Sequence, residues 1–392
     1  MSLGKVGLLS IALVSCMYAT NGFVVTYQGA KASAMADAFI AQADDPTANY
    51  YNAAGLTSLK GTQISTGMIM AYQTPWKFEG SSVGGVSGSY SEEARSQILV
   101  APHIYFAQQL DDNWYMGLGI NASYPLSVQW HTTDKLAQTS IYQNNMLPLT
   151  INPNIAYKFQ DIGLSLGAGV SYTYAFASQE YLSTSTVGSS IPGGSNVRAE
   201  LDGGGFGYNL GAKWDINDAL TFAATYRSKV ELDLSGDSYV EAYSLKQSVS
   251  SKANLPAMYV VGVAYKPIKD WLVEVDVGRT EYSSYKNYMG QKWEDTLSYR
   301  LGAQYTLNSN WDLRFGYAFE ETPVPDVAVG ADLPDGDNQT FSTGFGYHKD
   351  NFKIDLSVGD MHRNKRSVNN AYQVGTYVLD VPFVQTTFSW KF

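Results

Sequence analysis

The chain has 392 residues, 45% of them hydrophobic and 14% aromatic, with 29 Tyr, 8 Trp and a formal net charge of -10. The acidic balance argues against nucleic acid as a partner, and beyond the first twenty residues no apolar run reaches the about 18 residues of a transmembrane helix. A single cysteine, Cys16, excludes a disulfide framework.

Lys5 followed by the apolar run from Val6 to Val14 predicts a secretory signal over residues 1–20, cleaved after Ala19 or Thr20. Leu13-Val14-Ser15-Cys16 also fits a lipobox, in which Cys16 would be lipidated and become the mature N-terminus. Residues 21–58 are Ala-rich and show no alternation. They are helix-compatible from about Ala32 to Ala43 and turn at Asp44-Asp45-Pro46, and a second short helical piece starts at Asp45 or Pro46 and stops at Gly55.

From residue 59 onward the pattern is strand-like. Alternating segments fall at 61–72, 95–109, 113–124, 151–159, 163–176, 200–215, 219–235, 253–267, 270–282, 293–307, 310–321, 337–349, 351–363 and 377–392. Their connections alternate between short turns, such as Asp111-Asp112-Asn113 and Asn308-Ser309-Asn310, and long loops, such as 73–94, 125–150 and 322–336. Short turns on one side and long loops on the other are the asymmetry of outer-membrane barrels. The expected fold is therefore all-β, a fourteen-stranded antiparallel transmembrane β-barrel over 59–392. Such a barrel leaves an open channel unless it is filled. Residues 21–58 are accordingly placed as an N-terminal helical hatch plugging the lumen; a periplasmic extension is the alternative.

Facing follows from the period of two. Leu220, Phe222, Ala224, Tyr226, Val230 and Leu232 oppose Thr221, Thr225, Arg227, Lys229 and Glu231. Charge at the lipid midplane costs about 2–4 kcal/mol for Arg or Lys, so the charged set faces inward. Arg227, Lys229, Glu231, Glu274, Asp276, Arg300, Arg314 and Glu320 are expected to line a polar lumen of mixed sign, where they pair with one another or meet a ligand. The loop 125–150 carries Leu126, Val128, Trp130, Leu136, Ile141, Met146, Leu147 and Leu149. So apolar a loop reads as a landing groove or a lid over the mouth. The last strand, Val384 to Phe392, alternates and ends on an aromatic, the signal that barrel-assembly machinery reads.

The segments Gly29-Ala30-Lys31-Ala32, Ala43-Asp44-Asp45-Pro46-Thr47-Ala48 and Tyr51-Asn52-Ala53-Ala54-Gly55-Leu56 resemble the hatch of the FadL family. Asn152-Pro153-Asn154, Gly205-Phe206-Gly207-Tyr208-Asn209-Leu210-Gly211, Tyr226-Arg227-Ser228, Asn254-Leu255-Pro256, Trp293-Glu294-Asp295-Thr296 and Leu313-Arg314-Phe315-Gly316-Tyr317 are similar to further family blocks, in order along nearly the whole mature chain. One departure is Ala53, where the family's hatch commonly carries Pro; Pro fixes φ, so its loss bears on the geometry of the turn at Asn52, Ala54 and Gly55.

The resemblance implies uptake of long-chain fatty acids or related hydrocarbons through a plugged barrel, with sideways release into the outer membrane through a kink in the third strand. It places Phe23 at an inner pocket, with Arg227 and Arg314 as candidate partners for a ligand carboxylate. Gly117 and Gly119 either mark the bend of the lateral gate or make room for the hatch. It further implies a monomer working among outer-membrane lipid and lipopolysaccharide, with no cofactor, no metal and no chemical step. The alternatives are a general porin and an outer-membrane lipid hydrolase. Against the latter, His103, His131, His348 and His362 lie in no hydrolase motif, and no G-x-S-x-G elbow occurs.

Overall fold

The structure, a computed structural model, describes residues 26–123, 126–139, 141–183, 194–241, 244–283 and 293–392. Fourteen strands form its wall. They are β1 (Thr62–Gln73), β2 (Gln97–Gln109), β3 (Trp114–Asn121, continued as Leu126–Gln129), β4 (Ile141–Phe159), β5 (Leu164–Leu182), β6 (Asn196–Asn217) and β7 (Leu220–Arg227, continued as Val230–Val240). Then follow β8 (Leu245–Leu255, continued as Ala257–Ile268), β9 (Trp271–Glu281), β10 (Thr296–Thr306), β11 (Trp311–Glu320), β12 (Asn338–Lys349), β13 (Phe352–Asn369) and β14 (Gln373–Lys391). Neighbours pair antiparallel, and β14 returns to β1 from Gln63↔Lys391 to Ala71↔Phe383, which closes the barrel. Phe392 ends at this seam, its N–H donating to Thr62 O at 2.8 Å.

The short turns are set by side chains that imitate a backbone turn. Asp111 accepts from the N–H groups of Asn113 and Trp114, and the Trp114 and Asn113 N–H groups hold its carboxyl below the ordinary range. Asn217 and Asn308 cap their turns likewise.

At the long-loop end the strands run further than their alternation suggests. The fourth starts at Ile141 rather than 151, and β7 and β8 continue to Val240 and from Leu245, so most of the expected loop 236–252 is ladder. The expected loop 73–94 holds a hairpin, Lys77–Val83 and Val86–Glu93, that pairs with β14.

One facing expectation is overturned. Arg227 lies opposite Asn209 and Asp233 opposite Gly204, so β7 carries one extra residue against β6 between them. A one-residue slip exchanges the two faces of a strand. Below it Ala223 points inward and Phe222 and Ala224 outward; above it Val230, Leu232 and Leu234 are buried inside, and Lys229 and Glu231 stand outside. β8 changes face at the same height, around Pro256. On β6 the residue types change instead: Val197, Ala199 and Leu201 are buried, with Arg198, Glu200 and Asp202 outside. The lumen is thus rich in charge towards the short-turn end and mainly apolar towards the long loops.

The hatch fills the polar half. Its helices are shorter than the composition suggests: Ala30–Ser33, then Ala48–Tyr51, with a 3-10 turn at Ala53–Ser58. The first stops because Ala36 and Asp37 adopt positive φ of 49° and 62°, which breaks the right-handed helix. Wall glycines let the hatch sit against backbone. A Cβ at Gly316 would lie 2.1 Å from Met35 C, and one at Gly211 would lie 2.1 Å from Asn52 Oδ1.

Gly316→Val is therefore expected to leave an assembled, heat-resistant barrel with its hatch displaced. In planar bilayers a steady ionic current should appear that the parent protein lacks; an unchanged current would show that the hatch tolerates the extra methyls.

Candidate functional site

Two carboxylates of β9 fasten the hatch. Asp276 Oδ2 accepts the N–H groups of Phe39 and Ile40 at 2.9 and 3.3 Å. Glu274 accepts those of Ala41 and Gln42 at 2.6 and 2.9 Å. Four successive donors of irregular backbone are thereby satisfied where no water competes. Around them Ala30 N donates to Thr387 Oγ1 and Ala36 N to Ser342 Oγ. The turn works similarly. Asp45 Oδ1 accepts from Thr47 N at 2.8 Å, next to Pro46. Asn52 accepts from Ala54 N and donates to Ile40 O and Ala212 O, tying the turn to β6. Gly55 allows contact with Ala43 O, which a Cβ would meet at 2.3 Å. The surrounding protein partly desolvates Asp44, whose side chain stays 39% exposed, but Lys31 at 2.6 Å, aided by Lys353, holds its carboxyl well below the usual range.

Above the hatch the buried side chains form one contiguous, mainly apolar column. It begins at Tyr27, whose hydroxyl donates to Thr340 Oγ1 and whose ring lies 5.2 Å from Phe383. It rises through Leu232, Leu379 and Val381 to a cluster of Trp76, Phe78, Trp130 and Tyr377. Two loops close its top. Residues 126–139 bury Trp130 and Leu136, and residues 322–337 bury Val324, Val329 and Leu333. Trp130 Nε1 donates to Ala331 O at 2.7 Å, joining the two. Of the expected loop 125–150, residues 130–139 thus fold inward over the mouth, while residues 141–150 belong to β4.

The wall is interrupted beside this column. β3 leaves its ladder after Asn121 and resumes at Leu126. Among the described residues, β2 pairs with β3 from His103 to Gln109, and Ala122 and Ser123, next to Asn121↔Thr150, lie outside the β3 ladder. A cavity of about 550 Å3 lies there, of mixed lining: Leu99, Met146, Leu147 and Phe176 stand beside Gln97, Asn145, Glu200 and Asp202. The carbonyl of Ala122, at the break, accepts from Gln28 Nε2 at 3.1 Å. The start of the hatch therefore touches the interruption.

A family model described as outer membrane protein transport protein (OMPP1/FadL/TodX) matches residues 11–387. The chain belongs to this family. It is 26% identical over 430 residues to an outer membrane protein of Neisseria meningitidis serogroup B, across 95% of this chain and 92% of that one. It is 24% identical over 315 residues to the long-chain fatty acid transport protein of Escherichia coli O6:H1, across 67% and 70% of the two chains. Its fold matches that of a Pseudomonas aeruginosa FadL homologue with a TM-score of 0.82, at 17% identity over 95% of this chain and 100% of the other. The Ralstonia pickettii toluene transporter TbuX matches at 0.71, with 17% identity over 93% and 98%.

Within this FadL-type barrel the singled-out residues divide. Arg227 stands beside the start of the hatch, in a cavity of about 40 Å3 with Thr26, Tyr50, Met258 and Arg300. It donates to Tyr50 O at 2.9 Å and lies 4.7 Å from that ring. Asp37 borders the same cavity; burial pushes its carboxyl up to about 6 against the opposing pull of Thr26 and Arg300. Arg314 is not brought to this cavity. It is fully buried between Asp355, at 2.7 Å, and Asp312, at 3.1 Å, towards the short-turn end. Gly117 and Gly119 lie in unbroken ladder, short of the interruption. A Cβ at Gly117 would meet Asn49 Oδ1 of the hatch at 2.1 Å. Phe23 and Cys16 lie outside the described residues. Sequence reasoning passed over Arg363 and Trp76, which meet in the upper column at 5.8 Å. Their signal was weak, a cation at a strand's end and one Trp in a long loop.

Replacing Glu274 and Asp276 together with Ala should free the hatch from β9. Each lost carboxylate leaves buried N–H groups bare, at about 1–3 kcal/mol per group. Amide exchange of Phe39 to Gln42 should quicken by at least about a hundredfold while the wall strands stay protected. Equal quickening in the wall would mean that the pair holds the barrel rather than the hatch.

Proposed function

We propose that the protein carries hydrophobic small molecules, long-chain fatty acids or related hydrocarbons, across the outer membrane by passive diffusion. The observation that carries this reading is the apolar column running from the mouth loops to Tyr27. An apolar molecule gains roughly 25 cal/mol per Å² on leaving water, so such a column draws it inward past the lipopolysaccharide layer. The hatch, turning at Asp44, Asp45 and Pro46 and held through Asn52, Ala54 and Gly55, blocks the way down. The exit is sideways, through the wall at the β3 interruption, into the outer membrane. Its neighbour in the chain is the strand of Gly117 and Gly119, and Gln28 couples the hatch to it. The ligand rests before release near the hatch start, among Arg227 and, by family likeness, Phe23. Arg314 serves the structure in this scheme. Phe392 addresses the chain to the assembly machinery, and the barrel works as a monomer.

Both substrate classes have support among similar proteins, in the fatty acid transport protein of Escherichia coli and the toluene transporter of Ralstonia pickettii. Cells with and without the protein, given labelled oleate, hexadecane and toluene, separate them. Uptake of at least one should fall several-fold when the protein is removed. Unchanged uptake of all three, or a large steady single-channel current through the parent protein, would overturn the reading.

A further inference from the structure

The upper column contains one group that its surroundings do not suit. Arg363, on β13, is 2% exposed and projects into the apolar cluster, with its guanidinium 5.8 Å from the Trp76 ring. Its carboxylate neighbour is Asp335, 1% exposed, whose Oδ1 accepts from Arg363 Nε at a long 3.4 Å. Nη1 of Arg363 is buried and has no hydrogen-bond partner. A guanidinium presents a fork made for a bidentate carboxylate, and Asp335 does not fill it.

Asp335 belongs to a loop that has to move. In residues 322–337, Val324, Val329 and Leu333 occupy the top of the column. A molecule descending from outside must displace them, and Asp335 with them. The outer part of this loop already meets solvent: Val327 is exposed, and so is Asp326, which pairs with the largely covered Arg366. Asp335 regains hydration when the loop lifts. Arg363, anchored in the wall, does not, and would be left as a bare cation in an apolar shaft, a strongly unfavourable state.

We propose that Arg363 is a head-group site for a ligand carboxylate at the mouth of the column, and that Asp335 occupies it while the loop is closed. One carboxylate is exchanged for another, so buried charge stays paired throughout loading. The ligand class so selected is the long-chain carboxylate, whose tail matches the apolar side chains below and whose head matches the fork. This inference rests on the transport reading and narrows it.

Equilibrium binding of oleate and of its uncharged methyl ester to the purified protein tests it. Arg363→Gln should weaken oleate at least about tenfold and move methyl oleate less than about twofold, the scale of one charged hydrogen-bonded partner. Asp335→Asn, on the loop, removes the competitor and should tighten oleate several-fold more than the ester. The double variant, which leaves neither charge buried, should bind the ester as the parent does. Equal loss of both ligands in Arg363→Gln, no loss of either, or weaker oleate binding in Asp335→Asn would overturn the site while leaving transport intact. If the parent protein binds neither ligand, the transport reading falls as well.

Discussion

Strand alternation has to satisfy two solvents at different heights of one wall, and the rest of the molecule follows from how it does so. In hydrocarbon the outer face must be apolar and the inner face takes what is polar. Beyond the hydrocarbon that demand lapses. The extra residue in β7 after Arg227 and the break at Pro256 in β8 exchange the faces there. Charged Glu231 and Asp233 then stand outside, and Val230 and Leu232 inside. A polar chamber and an apolar shaft are thereby stacked within one barrel, without a second domain.

The polar chamber explains why the hatch can be so irregular. Backbone inside a barrel wall has little water to bond, so every N–H needs a protein partner. Short helices satisfy few of their own donors. Glu274 and Asp276 supply the missing acceptors, and Asn52 and Asn49 bond backbone carbonyls in return. Left-handed Ala36, Asp37 and Ala43 are unfavourable for residues with a Cβ. They persist because contacts with the wall on several sides leave the segment no other path. The lost family proline at Ala53 matters little to this arrangement, since Asn52 still caps the turn and reaches β6.

Much of this could be read from the chain alone, and the failures have physical causes. Strand number, turn positions and the buried role of Glu274, Asp276, Arg300 and Arg314 follow from period two and the lipid penalty. The facing of Lys229 and Glu231 does not, because a single-residue slip has no compositional mark. Helix length in the hatch was overestimated from alanine content, which reports propensity and not the barrel side chains competing for the backbone. Arg227 and Arg314 looked alike in sequence, both inward and both in family-like blocks. Only the partners separate them: Asp355 and Asp312 surround one, while the other leans on Tyr50 beside a cavity. Arg363 was invisible because its significance lies in Asp335, reached through a long loop rather than a ladder.

The stacking also decides direction. A hydrophobic molecule in the shaft has the polar chamber beneath it, where the hatch's fastenings would have to be broken and its own apolar surface exposed. At the level where the shaft meets the hatch, the wall offers another course. The cavity at the β3 interruption joins the inward-facing Leu99, Met146 and Leu201 to the lipid-facing Val100, Leu147 and Phe176. Gln97, Ser127, Asn145, Ser178, Glu200 and Asp202 line the same cavity, so polar side chains flank this apolar contact. In the proposed transport scheme the hatch acts by what it denies: holding the chamber shut leaves the sideways course to an apolar molecule. Gln28, by binding the carbonyl of Ala122, joins the start of the hatch to the point where β3 leaves its ladder.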